Sequence, residues 1–477
     1  MTGLSRRSFL AASAAIGATT FSAPLVRASS HDAPTEIVIG TRTIEVKGKP
    51  AKVFGLTQPD GTRGLVMNAG DRFRVRLKNE IKDLALIHWH GLTPPNSQDG
   101  VPGVTQPPLP PGQSYDYDFL VALPGTNWMH SHHVLQEQSL MAAPLVVRDP
   151  ADAARDEQEV VILLHDFTFR PPDEILSGLS KGMMHDMSGV GMSNMDMSNM
   201  DMSGGDLNDV TYDAFLANDR TLDDPEVVRV EKGQRVRLRI INAASTSNFM
   251  LDLGSLSGAL TDVDGRPIVP VTDSRFPLAI AQRADIRFTL PAGDGAWPIL
   301  FQREGDAALT GIVLATSSGT VTKIADRAAR AIGAIDRTLP MLYRAAEPLP
   351  ERRADRALAI DLTGSMMPYR WGIQELAAQA LTEGHHAHLA VKEGERVEMT
   401  LTNRTPMSHP MHLHGHHFQI VAVNGERLTG AVRDTELVPV GGAVTLAFDA
   451  GNPGAWMFHC HNLYHMLAGM ATQVRYQ

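Results

Sequence analysis

Cysteine is almost absent from this sequence, since Cys460 is the only one in 477 residues. A single cysteine excludes any disulfide within the chain and leaves one thiol free to bind a metal. The sequence also has no excess of positive charge. It contains 43 Lys and Arg and 53 Asp and Glu, which gives a net charge of -10. This balance argues against nucleic acid as a partner and gives no basic face for binding a membrane surface.

The sequence also lacks a convincing membrane span. The N-terminal run that ends near Leu25 is only weakly apolar, because Ser, Thr and Gly interrupt it. It follows Ser5-Arg6-Arg7-Ser8-Phe9-Leu10, which resembles a twin-arginine export signal. We therefore expect residues 1–30 to be a signal read by the twin-arginine machinery, and the mature protein to be periplasmic. An ordinary secretory signal is the alternative.

One pattern occurs three times, roughly 160 residues apart, at 70–79, 233–242 and 394–403. Each copy runs from a Gly to an Asn, and apolar residues alternate with polar ones, as Phe73, Val75 and Leu77 do in the first. This period predicts a strand with one face on a core. Repeats this long are whole domains, and the length of the chain also suggests about three domains.

Each repeat also closes in the same way, with a turn rich in Pro and Gly before a Trp: Trp128, Trp297 and Trp456. Short alternating strands, 41 Gly and 30 Pro favour an all-β fold of three β-sandwiches in a row. The predicted domains are 31–152, 153–325 and 326–477. The Ala-rich stretch 317–340, close to the second boundary, leaves room for a short helix.

The lone cysteine lies in His459-Cys460-His461, followed by His465 and Met470. A blue-copper centre uses two His, one Cys and a weak axial Met, so this segment supplies most of such a site. Successive side chains on a strand point to opposite faces. If Cys460 points to one copper, His459 and His461 therefore point to a second metal site.

Four His-x-His pairs supply that second site. They lie at 88/90, 130/132, 412/414 and 459/461, in the predicted first and third domains only. The pairs 88/90 and 412/414 are each followed by Gly. Eight imidazoles beside a Cys/His/Met site suit a three-copper cluster that accepts electrons.

These motifs, with His409-Pro410-Met411 before the third pair, resemble the full signature of the multicopper oxidases, the family of laccases, ascorbate oxidase and bacterial cuprous oxidases. The resemblance covers the chain from about residue 40 to its end and implies cupredoxin-like Greek-key domains. It implies four copper ions: one type 1, one type 2 and two type 3. The type 1 copper would be held by His409, Cys460, His465 and axial Met470. The type 2 copper would be held by His88 and His412, and the type 3 pair by His90, His130 and His461 on one side and His132, His414 and His459 on the other.

The resemblance also implies a reaction: electrons taken one at a time from substrate pass along Cys460 to O2, which is reduced to water. Asp99 matches an acid that assists proton delivery, although it equally suits a simple turn with Gly100. Tyr464 stands where cuprous oxidases carry a Glu, so a second proton relay is unassigned. Asp434 also matches a family position, where we expect a structural hydrogen-bonding role.

Eight of the 22 methionines lie within residues 183–202, in the segment 183–204 of the second domain. Thioethers select Cu(I), so this polar, Met-rich segment is interpreted as a Cu(I) collector, with a low-complexity linker as the alternative. The residues are Met183, Met184, Met187, Met192, Met195, Met197, Met200 and Met202. Met407 resembles a further Cu(I)-side methionine of cuprous oxidases, whereas Thr405 replaces the Asp expected before His409. The cluster His385, His386 and His388 is interpreted as a solvated loop with a possible metal contact.

Three functions remain open from the sequence. A cuprous oxidase that protects the periplasm fits the Met-rich segment, and a laccase-like oxidase of small phenols fits the same copper ligands. A copper-storage protein without turnover is the alternative from another class. A copper nitrite reductase is disfavoured, because it needs only type 1 and type 2 sites.

Overall fold

The computed structural model describes residues 33–181, 207–335, 343–375 and 388–477. Strands hold 51% of the residues and helices 5%, which confirms the all-β prediction. Several predicted features lie outside the described residues, namely the signal at 1–30, the methionines from Met183 to Met202, and His385 and His386. Residues from Thr35 to Gln477 form one compact unit.

The first pair of sheets contains eight strands, ordered β2-β1-β4-β6 and β3-β8-β7-β5. They are β1 (Thr35–Val46), β2 (Lys49–Thr57), β3 (Leu65–Asn68), β4 (Arg72–Asn79), β5 (Ile87–His90), β6 (Ser114–Leu120), β7 (Gly125–Ser131) and β8 (Ala142–Arg148). Their inner faces enclose one hydrophobic core that includes Phe73, Trp89 and Tyr117. We call this pair the first sandwich.

The second sandwich has sheets ordered β10-β9-β12-β17-β14-β15 and β11-β19-β18-β13-β16. Its strands are β9 (Gln158–Phe167), β10 (Ala214–Ala217), β11 (Val227–Arg229), β12 (Arg235–Asn242), β13 (Phe249–Asp252), β14 (Gly258–Val263), β15 (Arg266–Asp273), β16 (Arg275–Leu278), β17 (Arg283–Thr289), β18 (Ala296–Arg303) and β19 (Leu309–Ala315).

The third sandwich has sheets ordered β21-β20-β23-β29-β25-β26, with β27 paired to β25, and β22-β31-β30-β24-β28. Its strands are β20 (Arg356–Met366), β21 (Tyr369–Glu375), β22 (His388–Val391), β23 (Arg396–Asn403), β24 (His409–Leu413), β25 (Phe418–Val423), β26 (Glu426–Arg427), β27 (Val432–Arg433), β28 (Thr435–Val438), β29 (Ala443–Asp449), β30 (Ala455–Cys460) and β31 (Ala471–Tyr476).

The strands predicted from the repeat, β4, β12 and β23, take the same place in the three sandwiches. Each lies between one parallel and one antiparallel neighbour: β1 and β6 for β4, β9 and β17 for β12, and β20 and β29 for β23. The repeated pattern therefore marks one position in three copies of a single fold.

The prediction of one buried face is wrong for β12. Alternate residues are shielded in β4, whereas seven of the eight residues of β12 are buried. The polar face of β12 is covered because Arg237 and Arg239 both hydrogen-bond to Asp285, and Arg239 also reaches Thr126 of the first sandwich. Buried arginines are tolerated here since each is paired with a carboxylate.

Helices are few and short. The described residues form α1 (Pro172–Ser180), α2 (Leu463–Leu467) and the 3-10 turns Asn96–Gln98 and Pro150–Ala154. No helix in this part of the chain has the length and apolar character needed to cross a membrane. The described residues of the Ala-rich stretch, 317–335, contain no helix. Backbone hydrogen bonds and bridges tie parts of this stretch to residues 304–309 instead, which leaves it without helical bonds.

Candidate metal centre

Cys460 ends β30, and two histidines meet its thiol. Its Sγ lies 3.6 Å from His409 Nδ1 and 3.7 Å from His465 Nδ1, and those two nitrogens are 3.1 Å apart. All three side chains are fully buried. The antiparallel pairing of β24 with β30 brings His409 close to Cys460, and α2 supplies His465.

The chain returns to Cys460 through a short closed loop. Asn462 caps α2 by accepting hydrogen bonds from the backbone N–H groups of Tyr464 and His465. Further along, the Met470 N–H donates to His465 O, and the Cys460 N–H donates to Met470 O, both at 3.0 Å. Met470 is itself fully buried in the same core. The predicted Cys, His and Met residues are thus gathered in one segment.

The outer nitrogen of each ring faces a polar side chain. His409 Nε2 lies 2.6 Å from Thr405 Oγ1, and His465 Nε2 lies 2.8 Å from Asp209 Oδ2. Each ring therefore presents Nδ1 to the thiol, and the two Nδ1 lone pairs face each other. Burial lowers the pKa of His409 and raises the pKa of the Cys460 thiol. A buried thiol with two imidazole lone pairs beside it fits a cation that stabilises the thiolate.

The eight paired histidines gather on the other side of β30. The register of β5 and β7 sets His88 opposite His130, and the register of β24 and β30 sets His412 opposite His459. Groups of possible ligand atoms lying within 4.8 Å of one another include His132, His414 and His459; His88, His412 and His414; and His88, His90 and His130. His461 lies against His90 and His130, with ring centres 5.1 Å and 5.0 Å away. We call these eight residues the histidine cluster.

Six of the eight rings in the cluster have a buried nitrogen without a hydrogen-bond partner, which we call a bare nitrogen. Buried nitrogens without a hydrogen-bond partner are His88 Nε2, His90 Nδ1, His130 Nε2, His132 Nε2, His412 Nε2 and His461 Nε2. His414 and His459 direct their Nε2 atoms at each other, 3.1 Å apart, while their Nδ1 atoms contact the Asp99 carboxylate and the Cys460 carbonyl. With both Nδ1 atoms donating, two lone pairs face each other. This arrangement fits bound metal ions, which bare imidazole nitrogens ligate.

Burial also keeps the cluster in its ligating form. It lowers the pKa of His90, His130, His132, His412, His414 and His461 well below the ordinary value, and neighbouring histidines lower it further. Burial lowers the pKa of His459 to about 4. These rings are therefore neutral at physiological pH and offer lone pairs rather than protons.

Two predicted acids hold rings of the cluster. Asp99 Oδ2 lies 2.9 Å from His414 Nδ1, and its carbonyl lies 2.9 Å from His88 Nδ1. Asp434 Oδ1 lies 3.1 Å from His90 Nε2, and its carbonyl lies 2.8 Å from His412 Nδ1. The position of Asp434 agrees with the hydrogen-bonding role expected from the sequence.

A third acid, Glu137, was missed in the sequence. Its Oε2 lies 2.8 Å from His130 Nδ1, and Oε1 lies 3.8 Å from His461 Nδ1. Burial, with Asp166 nearby, raises the pKa of Glu137. The only signal in the sequence is an acid between two glutamines shortly after the pair 130/132, which is too weak to assign a role.

The second sandwich, which supplies no predicted copper ligand, contributes contacts to both sites. Asp209 lies against His465, and Tyr369 donates a 2.7 Å hydrogen bond to its Oδ2. Arg283 donates to the Asp434 carboxylate, beside His90. Neither contact has a sequence signal, because each joins residues more than 100 positions apart.

The remaining described residues that were singled out in the sequence lie as follows. Met407 is buried, and its carbonyl accepts a hydrogen bond from Thr405. Tyr464 donates a 3.3 Å hydrogen bond to Gln138 Oε1. His388 begins β22 at the edge of its sheet.

The glycine that ends each His-x-His-Gly motif has a steric reason. Gly91 and Gly415 have φ of +93° and +66°, where L side chains are strained. A Cβ at Gly415 would lie 2.4 Å from the Trp456 ring, and one at Gly91 would lie 2.2 Å from Asn127 Oδ1. The turn after each pair of ligands therefore packs its backbone directly on a neighbouring side chain.

Gly415→Ala should consequently destabilise the metal-free protein more than Gly394→Ala. Gly394 has φ of +83° but no atom within 4 Å of the added Cβ, so it is a control for backbone strain alone. Overlap with buried Trp456 should cost roughly 1–3 kcal/mol in addition. Urea unfolding of both variants measures the difference, and equal losses would show that Trp456 moves aside freely.

A buried Cys-His-Met site that shares a strand with a histidine cluster, in three consecutive β-sandwiches, defines a cupredoxin-like copper protein. Residues 40–152, 158–319 and 352–477 each match the multicopper oxidase family. The chain belongs to this family, whose members are oxidoreductases that use copper. The resemblance seen in the motifs is thereby confirmed.

Several named proteins are similar to this chain. The chain is 31% identical to multicopper oxidase MmcO of Mycobacterium tuberculosis, over 85% of this chain and 80% of that protein. It is 24% identical to copper resistance protein A of Escherichia coli, over 94% and 93% of the two chains. The crystal structure of a laccase from Botrytis aclada superposes with a TM-score of 0.73 at 22% identity, over 93% and 87%.

Proposed function

We propose that this protein is a periplasmic cuprous oxidase that serves copper tolerance. It would take electrons singly from Cu(I) at the Cys460 site and deliver them to O2 at the histidine cluster, reducing O2 to water. Four copper ions held by these residues would supply the one-electron redox chemistry. Export by the twin-arginine machinery is part of the proposal, since the expected signal at 1–30 precedes the described fold.

The ligand sets are those implied by the motifs, and the bare nitrogens support them. His409, Cys460, His465 and axial Met470 would hold the type 1 copper. His88 and His412 would hold the type 2 copper. One type 3 copper would be held by His90, His130 and His461, and the other by His132, His414 and His459. For the last set, the facing Nε2 atoms of His414 and His459 are the clearest support.

The backbone around Cys460 links the two sites covalently, because side chains alternate along the strand. Cys460 points to one side of β30, and its two neighbours in sequence, His459 and His461, lie in the cluster on the other. One peptide unit in each direction therefore separates the thiol from a ring of the cluster. Asp99 touches His414 in the cluster directly, and this contact supports a role for its carboxylate in proton delivery.

The surroundings of His465 are the main support for Cu(I), rather than a phenol, as the substrate. The ring is fully buried, its Nε2 faces Asp209, and Trp371 covers it with ring centres 4.1 Å apart. A phenol has no open ring edge to touch. Cu(I), by contrast, needs only soft ligands within electron-transfer reach.

Both flanks of the Met-rich segment adjoin this covered site. The helix α1, which ends at Ser180, packs against β21, the strand that carries Trp371. Asp209, just beyond the segment, contacts His465. This placement supports collection of Cu(I) by the thioethers.

The decisive test compares Cu(I) and a phenol as substrates of one preparation. Replacing the eight methionines from Met183 to Met202 by Leu keeps the length of the segment and removes its thioethers. We expect kcat/KM for Cu(I) to fall roughly tenfold or more, because soft-ligand capture is lost. Turnover of the phenol should not fall. Unchanged Cu(I) turnover would eliminate the collector.

A laccase-like phenol oxidase is the second candidate, because the same copper ligands would serve it. It predicts the reverse ranking of the two substrates. A copper-storage protein without turnover is the third, and sustained O2 consumption by the copper-loaded protein would exclude it.

A further inference from the structure

His90 is held differently from the other rings of the histidine cluster. Its Nε2 lies 3.1 Å from Asp434 Oδ1 and 3.3 Å from Thr435 Oγ1, so its bare nitrogen is Nδ1. The other bare nitrogens of the cluster are Nε2 atoms. The ring orientation of His90 therefore depends on where the Asp434 side chain lies.

Arg283 of the second sandwich fixes that side chain. Its Nη1 donates to Asp434 Oδ1 at 2.8 Å, and its Nη2 donates to Oδ2, so the contact is bidentate. The same guanidinium donates through Nε to Thr126 O of the first sandwich at 3.1 Å. Arg283 is thus tied to the first and third sandwiches at once, and it is 1% exposed.

Asp264, also of the second sandwich, holds the same segment from another direction. One of its oxygens accepts from the Arg283 N–H, and the other accepts from Arg433 Nε and the Thr435 N–H. The segment 433–435 therefore sits between two groups of the second sandwich. Its position, and with it the contact to His90, is imposed from outside the two sandwiches that supply the ligands.

The chemistry of the pair suits a positioning role. The Asp434 carboxylate is buried, and the Arg283 guanidinium donates to both of its oxygens. The carboxylate is then a fixed acceptor for the His90 Nε2–H, which leaves Nδ1 as the ligand atom. A planar guanidinium fixes both carboxylate oxygens, which a lysine ammonium cannot do.

We propose that Arg283 is a positioning residue of the histidine cluster. Acting through Asp434, it selects Nδ1 of His90 as the metal-binding atom and so sets the copper affinity of the cluster. This inference rests on the proposed function in one respect, namely that the cluster holds copper.

The test is Arg283→Lys, which keeps the buried positive charge but removes the planar guanidinium that contacts both Asp434 oxygens. Competition with a copper chelator should show roughly 10–100-fold weaker copper binding at the cluster, the usual effect of losing a group that orients a ligand. The blue absorption of the Cys460 site should be unchanged. Arg237→Lys is the matched control, because Arg237 is a buried arginine on neighbouring β12 that pairs with Asp285 and contacts no ligand.

A double-mutant cycle tests the route through Asp434. In an Asp434→Asn background, Arg283→Lys should cause little further loss of affinity, because the contact it served is already weakened. Equal losses in both backgrounds, or copper binding as tight as in Arg237→Lys, would overturn the inference. So would parallel loss of the blue absorption, which signals general misfolding. A wild-type protein with no copper in the cluster would refute the proposed function instead.

Discussion

Cys460→Ser is expected to lower the rate of substrate oxidation by roughly a thousandfold or more. The reason is that the copper ligands act as a unit, so that loss of one of them disables the whole. The thiol is the atom that both histidine Nδ1 atoms face, and its backbone is the covalent link to His459 and His461. Serine keeps the size of the side chain but not its soft sulfur. We expect the blue absorption to vanish, copper per chain to fall by about one ion, and O2 consumption with Cu(I) to stop.

Met470→Leu is the control for this experiment. It leaves the Cys460 thiol and both histidines in place, so the blue absorption should persist while the redox potential of the site rises. The histidine cluster should keep its copper in both variants, since its ligands lie on the other face of β30. Persistent turnover in Cys460→Ser would mean that electrons enter elsewhere, and the proposed route would be wrong.

Much of the fold was predictable because its signals are local. Alternating residues marked β4 and β23, and a repeat of roughly 160 residues marked three sandwiches. The ligand pairs were equally visible, since His-x-His on a strand places both rings on one face. The glycine after two of the pairs also had a local cause, the positive φ at Gly91 and Gly415.

What the sequence did not reveal depends on contacts between distant residues. Arg283 and Asp434 are 151 positions apart, and Asp209 and His465 lie in different sandwiches. Only one face of β12 was predicted to lie on a core, but Arg237 and Arg239 of the other face are buried and both pair with Asp285. The sequence pattern of an alternating strand is the same whether its arginines face water or a buried acid. Only the packing of the sandwiches distinguishes the two.

That packing changes the role of the second sandwich. It supplies no ligand among the described residues, yet Asp209 covers the Cys460 site and Arg283 orients a ring of the histidine cluster. In the proposed scheme, a domain that holds no copper therefore contacts both the site of electron entry and the site of O2 reduction.

Asp99→Asn is the second large effect we expect, and it falls on one half of the reaction. Asparagine keeps the shape of the side chain, and its oxygen can still accept from His414 Nδ1, but it carries no proton to deliver. We expect anaerobic reduction of the blue site by Cu(I) to be unchanged. Reoxidation by O2 should slow by about 10²–10⁴-fold, the usual range for losing a general acid. Stopped-flow absorption separates the two steps.

The same variant decides between the two roles of Asp99. If Asp99 serves only the turn, Asn is an adequate replacement, because Gly100 at φ +87° provides the conformation that an added Cβ, 1.9 Å from Ile87 O, would block. A purely structural role therefore predicts normal reoxidation in Asp99→Asn. Asp118→Asn, an exposed acid of the same sandwich paired with Arg72, is the control and should leave both steps unchanged. Slow reoxidation confined to Asp99→Asn would identify the carboxylate itself, rather than the turn, as the group the reduction of O2 requires.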